Sequence, residues 1–157
     1  HALVSDLTIP GTGYGDDAKT MALITLDNGF DHTKPNSFGP QGLAELAGVL
    51  DELHRRAEAG EIVGVGITGK PFIFAVGADL TGVPAIATRE QALEIARLGH
   101  ETFQKISDLP VPTFAFVNGA SMGGGVEIAL AVSKKSTGFP CLSMARYRYR
   151  HLPRILT

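Results

Sequence analysis

The chain has 157 residues, enough for one domain with a real core. Hydrophobic residues make up 44% and charged residues 19%, which excludes intrinsic disorder, and a single Cys excludes a disulfide scaffold or a four-Cys zinc site. Residues 1–132 carry eight basic side chains against sixteen acidic ones, a balance of −8, whereas residues 133–157 carry six basic and no acidic ones, a balance of +6.

The 19 glycines show no Gly-X-Y period, so they mark turns and close backbone approaches rather than collagen. No apolar run approaches the roughly 18 residues that span a bilayer. Residues 1–10 show no basic stretch followed by an apolar one, so a cytoplasmic location and no membrane association are expected.

In chain order, residues 5–19 form a lead-in with a Gly-rich turn at 11–15. Residues 21–27 (MALITLD) are apolar at both alternating sets, as in a strand buried on both faces. Residues 28–40 mix Asn, Gly, Asp, Pro and Ser and read as a loop. Residues 41–60 are a helix: Leu43, Leu46, Ala47, Leu50, Leu53 and Ala57 form one stripe, and Gly60 is a C-terminal stop. Residues 62–68 and 72–76 are β-branched or aromatic and read as strands. A loop at 77–84 leads to a helix at 88–108, with Thr88 and Gln91 at capping-box spacing and Leu93, Ala96, Phe103 and Ile106 in a stripe. Residues 113–117 are a further strand, 118–125 are Gly-rich, and a third helix begins at 126. Strands alternating with long helices predict a largely parallel α/β fold.

Two glycine loops, each following a strand, carry the candidate chemistry. The first is Val76, Gly77, Ala78 and Asp79; the second runs through Gly123, Gly124 and Gly125 into Val126 and Glu127. Backbone N–H groups at a helix start attract negative charge, and glycine lets a ligand approach closely. Donors from both loops, if they converge, would stabilise charge on a carbonyl oxygen, with Glu127 as a general acid/base. Simpler readings stand beside this one. A Gly run also serves strand–helix packing, a first-turn Glu also suits the helix dipole, and Asp79 also suits a turn or cap. The chain has neither a GxxxxGK[ST] loop nor a GxGxxG that opens a βαβ unit.

Residues 74–80 (FAVGADL) and 117–129 (VNGASMGGGVEIA), in this order and with a helix between them, resemble the crotonase (enoyl-CoA hydratase/isomerase) superfamily. The resemblance runs from about Ala22 to about Ala131. Its lead-in is similar to the hydratase part of bacterial multifunctional fatty-acid oxidation proteins. It implies a crotonase-like (ββα) spiral at 1–132, ending after the helix of the first catalytic glutamate. The implied activity is hydration of the 2,3 double bond of an acyl-CoA thioester in fatty-acid β-oxidation. The N–H groups of Ala78 and Gly124 would form an oxyanion hole, with Gly77, Asp79 and Gly123 around it. Glu127 would be the acid/base, and the Val76 carbonyl would face the adenine of coenzyme A. Lys34 stands where relatives often place a basic residue near the CoA phosphates and is a candidate contact, although a solvated loop lysine is the simpler and favoured reading. No metal and no separate cofactor are implied, because coenzyme A arrives on the substrate. A homo-oligomer, a trimer or a dimer of trimers, is implied.

The sequence also departs from the family. Hydratases use a second glutamate beyond the first helix, and no acid follows Glu127 here. Double-bond isomerases use one glutamate, but usually elsewhere in the motif. Residues 133–157 do not resemble the family's continuation. They suit a basic arm for an anionic partner, a product of altered reading frame or splicing, or joined pieces of a longer chain. Nucleic acid is not an expected partner, even though residues 146–150 interleave Arg with Tyr. An incomplete core serving as a CoA- or nucleic-acid-binding module is the non-enzymatic alternative. Of the histidines, His32 is a candidate substrate contact, His54 lies on a polar face, and His100 reads as partly buried.

Overall fold

The computed structural model describes residues 1–11, 17–31, 33–79 and 88–132. His32, most of the 11–15 turn, the loop at 80–84, Cys141 and residues 133–157 lie outside the described residues. The elements are β1 (Ala2–Ile9), β2 (Lys19–Leu26), α1 (Pro40–Glu58), β3 (Gly64–Gly69), β4 (Phe72–Ala75), α2 (Arg89–Asp108), β5 (Thr113–Phe116), β6 (Gly119–Ser121) and α3 (Gly124–Val132).

Two sheets organise them. The larger has the order β1-β2-β3-β5, and the smaller pairs β4 with β6. The β2–β3, β3–β5 and β4–β6 pairs are parallel, as the alternation of strands and helices predicts. Each of the runs β3-β4-α2 and β5-β6-α3 places one strand in the large sheet, one in the small sheet, and then a helix. That repeated ββα step is the expected spiral.

The core follows from register. Ala22 and Ile24 pair with Val65 and Ile67, and the strand period of two turns all four to one face. Leu43, Leu46, Leu50 and Leu53 recur at helical spacing, and α1 buries all four. Burying each such side chain contributes about 1.5–3 kcal/mol. Phe74, Ile106 and Ile128 join the cluster from β4, α2 and α3. At the end of α1 the Gly60 N–H donates to Ala57 O and the Glu61 N–H to Arg56 O, which closes the helix with a Schellman motif. The predicted capping box is present: Gln91 N donates to Thr88 Oγ1, and Thr88 N to Gln91 Oε1.

Four features differ from the expectations. Strand β1 was not anticipated; it pairs antiparallel to β2 as an edge strand, and only Ala2 is buried. Arg56 of α1 ties it down with a two-pronged pair to Asp6 (3.1 and 2.8 Å), which raises the guanidinium pKa above its ordinary value. Strand β6 has three residues, too short for a sequence period. Helix α3 begins at Gly124, ahead of the predicted start at 126. The α2 stripe is covered only in its second half: Ile106 is buried, while Leu93 and Ala96 are exposed. His100 is exposed rather than partly buried, because the covered face of α2 runs through Ile95, Leu98, Gly99, Thr102 and Ile106 and His100 lies off it.

Candidate active site

The first glycine loop continues β4. Ala78 forms an isolated parallel bridge with Phe38. Phe38 N–H donates to Gly77 O (2.8 Å), and Asp79 N–H donates to Phe38 O (2.9 Å). Successive peptide units of an extended chain point to alternate edges, so the Ala78 N–H projects away from Phe38. Among the described residues it has no acceptor. Ala78 is exposed, Val76 and Asp79 are half-buried, and Gly77 is buried.

The second loop opens α3. A helix start leaves N–H groups without intrahelical partners. Here Gly125 N–H donates to Met122 O (3.0 Å), while Val126 and Glu127 donate to Gly123 O (2.9 and 3.2 Å). The half-buried Gly124 keeps its N–H without an acceptor among the described residues. Met122 N–H donates to Ala75 O (3.0 Å), which ties this loop to the end of β4.

The loops touch. A Cβ on Gly77 would lie 3.2 Å from Gly124 N and 3.4 Å from Gly123 Cα. Gly77 also has φ +88°, a region L side chains rarely adopt. A Cβ on Gly125 would stand 2.1 Å from Ala75 O, so only glycine lets α3 start against β4. The Phe103 ring of α2 lies 3.4 Å from the Cβ position of Gly124 and packs edge-on against Phe38, with centroids 5.8 Å apart. Phe103 therefore lies against both halves of the site.

Glu127 stands in the first turn of α3, exposed, and its carboxylate has no partner among the described residues. The structure thus brings Gly77, Gly123 and Gly124 together, with Ala78 and Glu127 one residue and about one turn away. Asp79 goes elsewhere: its Oδ2 lies 4.0 Å from the Cβ position of Gly39, the N-cap of α1. A carboxylate there suits the helix dipole. Lys34 is exposed on a separate loop. Among the described residues no cluster of three His, Cys, Asp or Glu could hold a metal, and no helix is long and apolar enough to cross a membrane.

Behind the site lies a polar frame that sequence reasoning missed. Asn36 is buried; its Nδ2 donates to Leu26 O (2.7 Å) and Phe74 O (3.3 Å), and its carbonyl accepts from Val76 N–H (2.8 Å). Asn118 Nδ2 donates to Gly69 O and Lys70 O, and its Oδ1 accepts from Gly69 N–H, tying the β5–β6 turn to the β3–β4 turn. Their position directly after strands or within a loop is the only sequence signal. Two unpaired N–H donors at contacting loops, with a carboxylate nearby, can hold a polarised carbonyl oxygen and move a proton.

Comparison with known proteins bears on the family. Residues 16–133 match the family model described as enoyl-CoA hydratase/isomerase. The chain is 37% identical over 128 residues to a fatty acid oxidation complex subunit alpha of Shewanella loihica, covering 74% of this chain and 17% of the relative. The corresponding Shewanella halifaxensis subunit is 34% identical over 117 residues, covering 73% and 16%. Among solved structures, Pseudomonas aeruginosa DspI superimposes with a TM-score of 0.61 at 34% identity, over 71% of this chain and 43% of DspI. An enoyl-CoA hydratase from Bacillus anthracis gives a TM-score of 0.64 at 27% identity, over 82% and 45%. The chain thus spans about a sixth of the two curated relatives and under half of the two solved ones. With three quarters of its length inside the family model and the repeated ββα step in its structure, the chain belongs to the enoyl-CoA hydratase/isomerase (crotonase) family.

Proposed function

We propose that the chain contributes the acyl-CoA site of an enoyl-CoA hydratase acting in fatty-acid oxidation. The observation that carries this reading is the pair of unpaired amides, Ala78 and Gly124, on two glycine loops in contact, with the exposed Glu127 about one turn on. The thioester oxygen accepts from both amides. Water oxygen bonds to C3 as Glu127 takes its proton, and the π electrons move onto the thioester oxygen. The resulting enolate collapses as C2 takes the proton that Glu127 removed from the water, which returns the carboxylate to its starting state. The enolate carries more charge on oxygen than the ground-state thioester, so the two donors act mainly on the transition state. Val76 faces the adenine, Lys34 approaches the CoA phosphates, and Gly77, Asp79 and Gly123 shape the surround. This mechanism calls on no metal and no cofactor beyond the coenzyme A on the substrate. The family reading extends to a homo-oligomer in the cytoplasm.

A double-bond shift is the second reading. It needs one base that takes a proton at one carbon and returns it at another, and Glu127 is the last acidic residue of the chain. Crotonyl-CoA separates the readings: hydration removes the conjugated double bond, whereas an isomerase leaves this substrate unhydrated and converts a 3-enoyl-CoA to the conjugated form. Glu127→Gln should slow hydration by about 10²–10⁴-fold. A loss under about tenfold would remove Glu127 from the acid/base role.

A further inference from the structure

We propose that Lys70 is a positioning residue whose ammonium fastens residues 28–31 and, through Asn28 and Asn36, holds the segment that presents the Ala78 amide. The part of this inference that concerns a thioester ligand rests on the function proposed above.

Lys70 is 4% exposed, at the turn between the two sheets. Its Nζ donates to Asn28 Oδ1 (2.5 Å), Phe30 O (3.0 Å) and Asp31 O (2.9 Å). An ammonium has three donors, and all three are used. None of these three acceptors is a carboxylate, and Asp31 Oδ1 accepts from Thr33 N and Oγ1. Desolvating a cation is costly, so a residue that only filled space here would be better apolar. Its charge instead meets two carbonyls and an amide oxygen, which hold loop residues that carry no regular structure of their own.

The platform is rigid. Lys70 N–H donates to Leu26 O (3.1 Å), and its carbonyl accepts from Ile73 N–H (3.2 Å) and Asn118 Nδ2 (2.8 Å). From Asn28 the connection runs onward. Asn28 Nδ2 donates to Pro35 O (2.7 Å), and Asn28 N–H donates to Asn36 Oδ1 (3.2 Å). Asn36 then binds Phe74 O and Val76 N–H, two residues before Ala78. Every link is a hydrogen bond between named groups, and the last one borders the site.

The test uses the full 157-residue chain, with butyryl-CoA as the ligand because it has no double bond to hydrate. Lys70→Met keeps the apolar stem and removes three donors. The amides of Asn28, Phe38, Val76 and Asp79 should exchange about tenfold faster, with butyryl-CoA binding about tenfold weaker. The α1 amides of Leu46 and Leu50 should keep their protection. In Lys70→Ala, added n-propylammonium should restore binding and n-propanol should not. Unchanged exchange at the four loop amides in Lys70→Met would overturn the proposal. So would an equal loss of protection in α1, which would make Lys70 a determinant of overall stability, and so would equal rescue by propanol. If the unaltered chain bound no butyryl-CoA while Lys70→Met still loosened only the loops, the proposed function would fail and the positioning of the Ala78 segment would stand.

Discussion

The N–H groups of Ala78 and Gly124 are both without an acceptor among the described residues, but residues 76–79 and residues 122–127 leave them so by different means. In the first loop an extended chain pairs on one edge with Phe38, and the alternation of peptide units turns the next N–H outward. In the second loop a helix begins, and the turn carbonyls of Met122 and Gly123 take up the N–H groups of Gly125, Val126 and Glu127 but not that of Gly124. The first donor depends on a distant partner strand. The second depends on local backbone geometry and on glycine. The two loops should therefore fail differently when perturbed.

The largest effect should come from the second loop. Gly125→Ala places a methyl 2.1 Å from Ala75 O and 2.7 Å from Ala75 C, and neither backbone atom can move without breaking the β4–β6 pairing. Overpacking against a fixed backbone should cost about 3 kcal/mol or more, a large part of a domain's stability. Thermal unfolding and soluble yield measure it; a midpoint within a few degrees of the unaltered chain would show that α3 can slide off β4. Gly77→Ala should be milder for the fold and more selective for the site. Its φ of +88° is costly for alanine, and the methyl would stand 3.2 Å from Gly124 N. Shielding one of two oxyanion donors should lower the hydration rate by about 10²-fold. A variant that folds and turns over normally would mean that Gly124 N–H does not meet the substrate.

These contrasts bear on what was legible in the sequence. The second loop was legible because its means are local: three glycines and a helix start lie within a few residues. The apolar stripe of α1 and the alternation in β2 and β3 were legible for the same reason, since each buried side is written in one period. The first loop was legible as a motif, but its support was not. Phe38, Asn36 and Lys70 lie 38 to 42 residues from the loop and strand groups they hold across the site, and asparagine in a loop or lysine in a turn reads as solvated. Strand β1 escaped because its side chains are exposed on both faces apart from Ala2, so no alternation marks it. His100 and Leu93 were misplaced because the covered face of α2 runs through Ile95, Leu98, Gly99, Thr102 and Ile106, to one side of the stripe that the apolar pattern suggests.

The support of the first loop can be broken without touching glycine. Asn36→Ala removes the donors to Leu26 O and Phe74 O and the acceptor for Asn28 N–H. Leu26 O keeps its bond from Lys70 N–H, while Phe74 O and Asn28 N–H lose this partner, which should cost about 2 kcal/mol. Exchange at Phe38 and Asp79 should rise before exchange at Gly125 and Val126, since the second loop has its own carbonyls. Equal loosening of both loops would mean that they move as one body and that the contrast between them is only geometric.

The smallest effect concerns α2, whose Phe103 lies against both loops. The first half of this helix is mostly exposed, with Ile95 and Leu98 half-buried, so its order leans on local devices: the Thr88–Gln91 capping box and the Arg97–Glu101 pair at 2.7 Å. Thr88→Ala removes the Oγ1 acceptor for Gln91 N–H, worth about 1 kcal/mol of helix stability. Global unfolding should register less than that, because the first turns can fray while Thr102 and Ile106 remain buried. Exchange should accelerate at Ala92 and fade toward Phe103, and hydration should stay within about twofold of the unaltered chain, below 0.5 kcal/mol. A clear loss of activity would show that the first half of α2 reaches the site through Phe103 as a rigid rod, and that the two loops share a support their hydrogen bonds do not reveal.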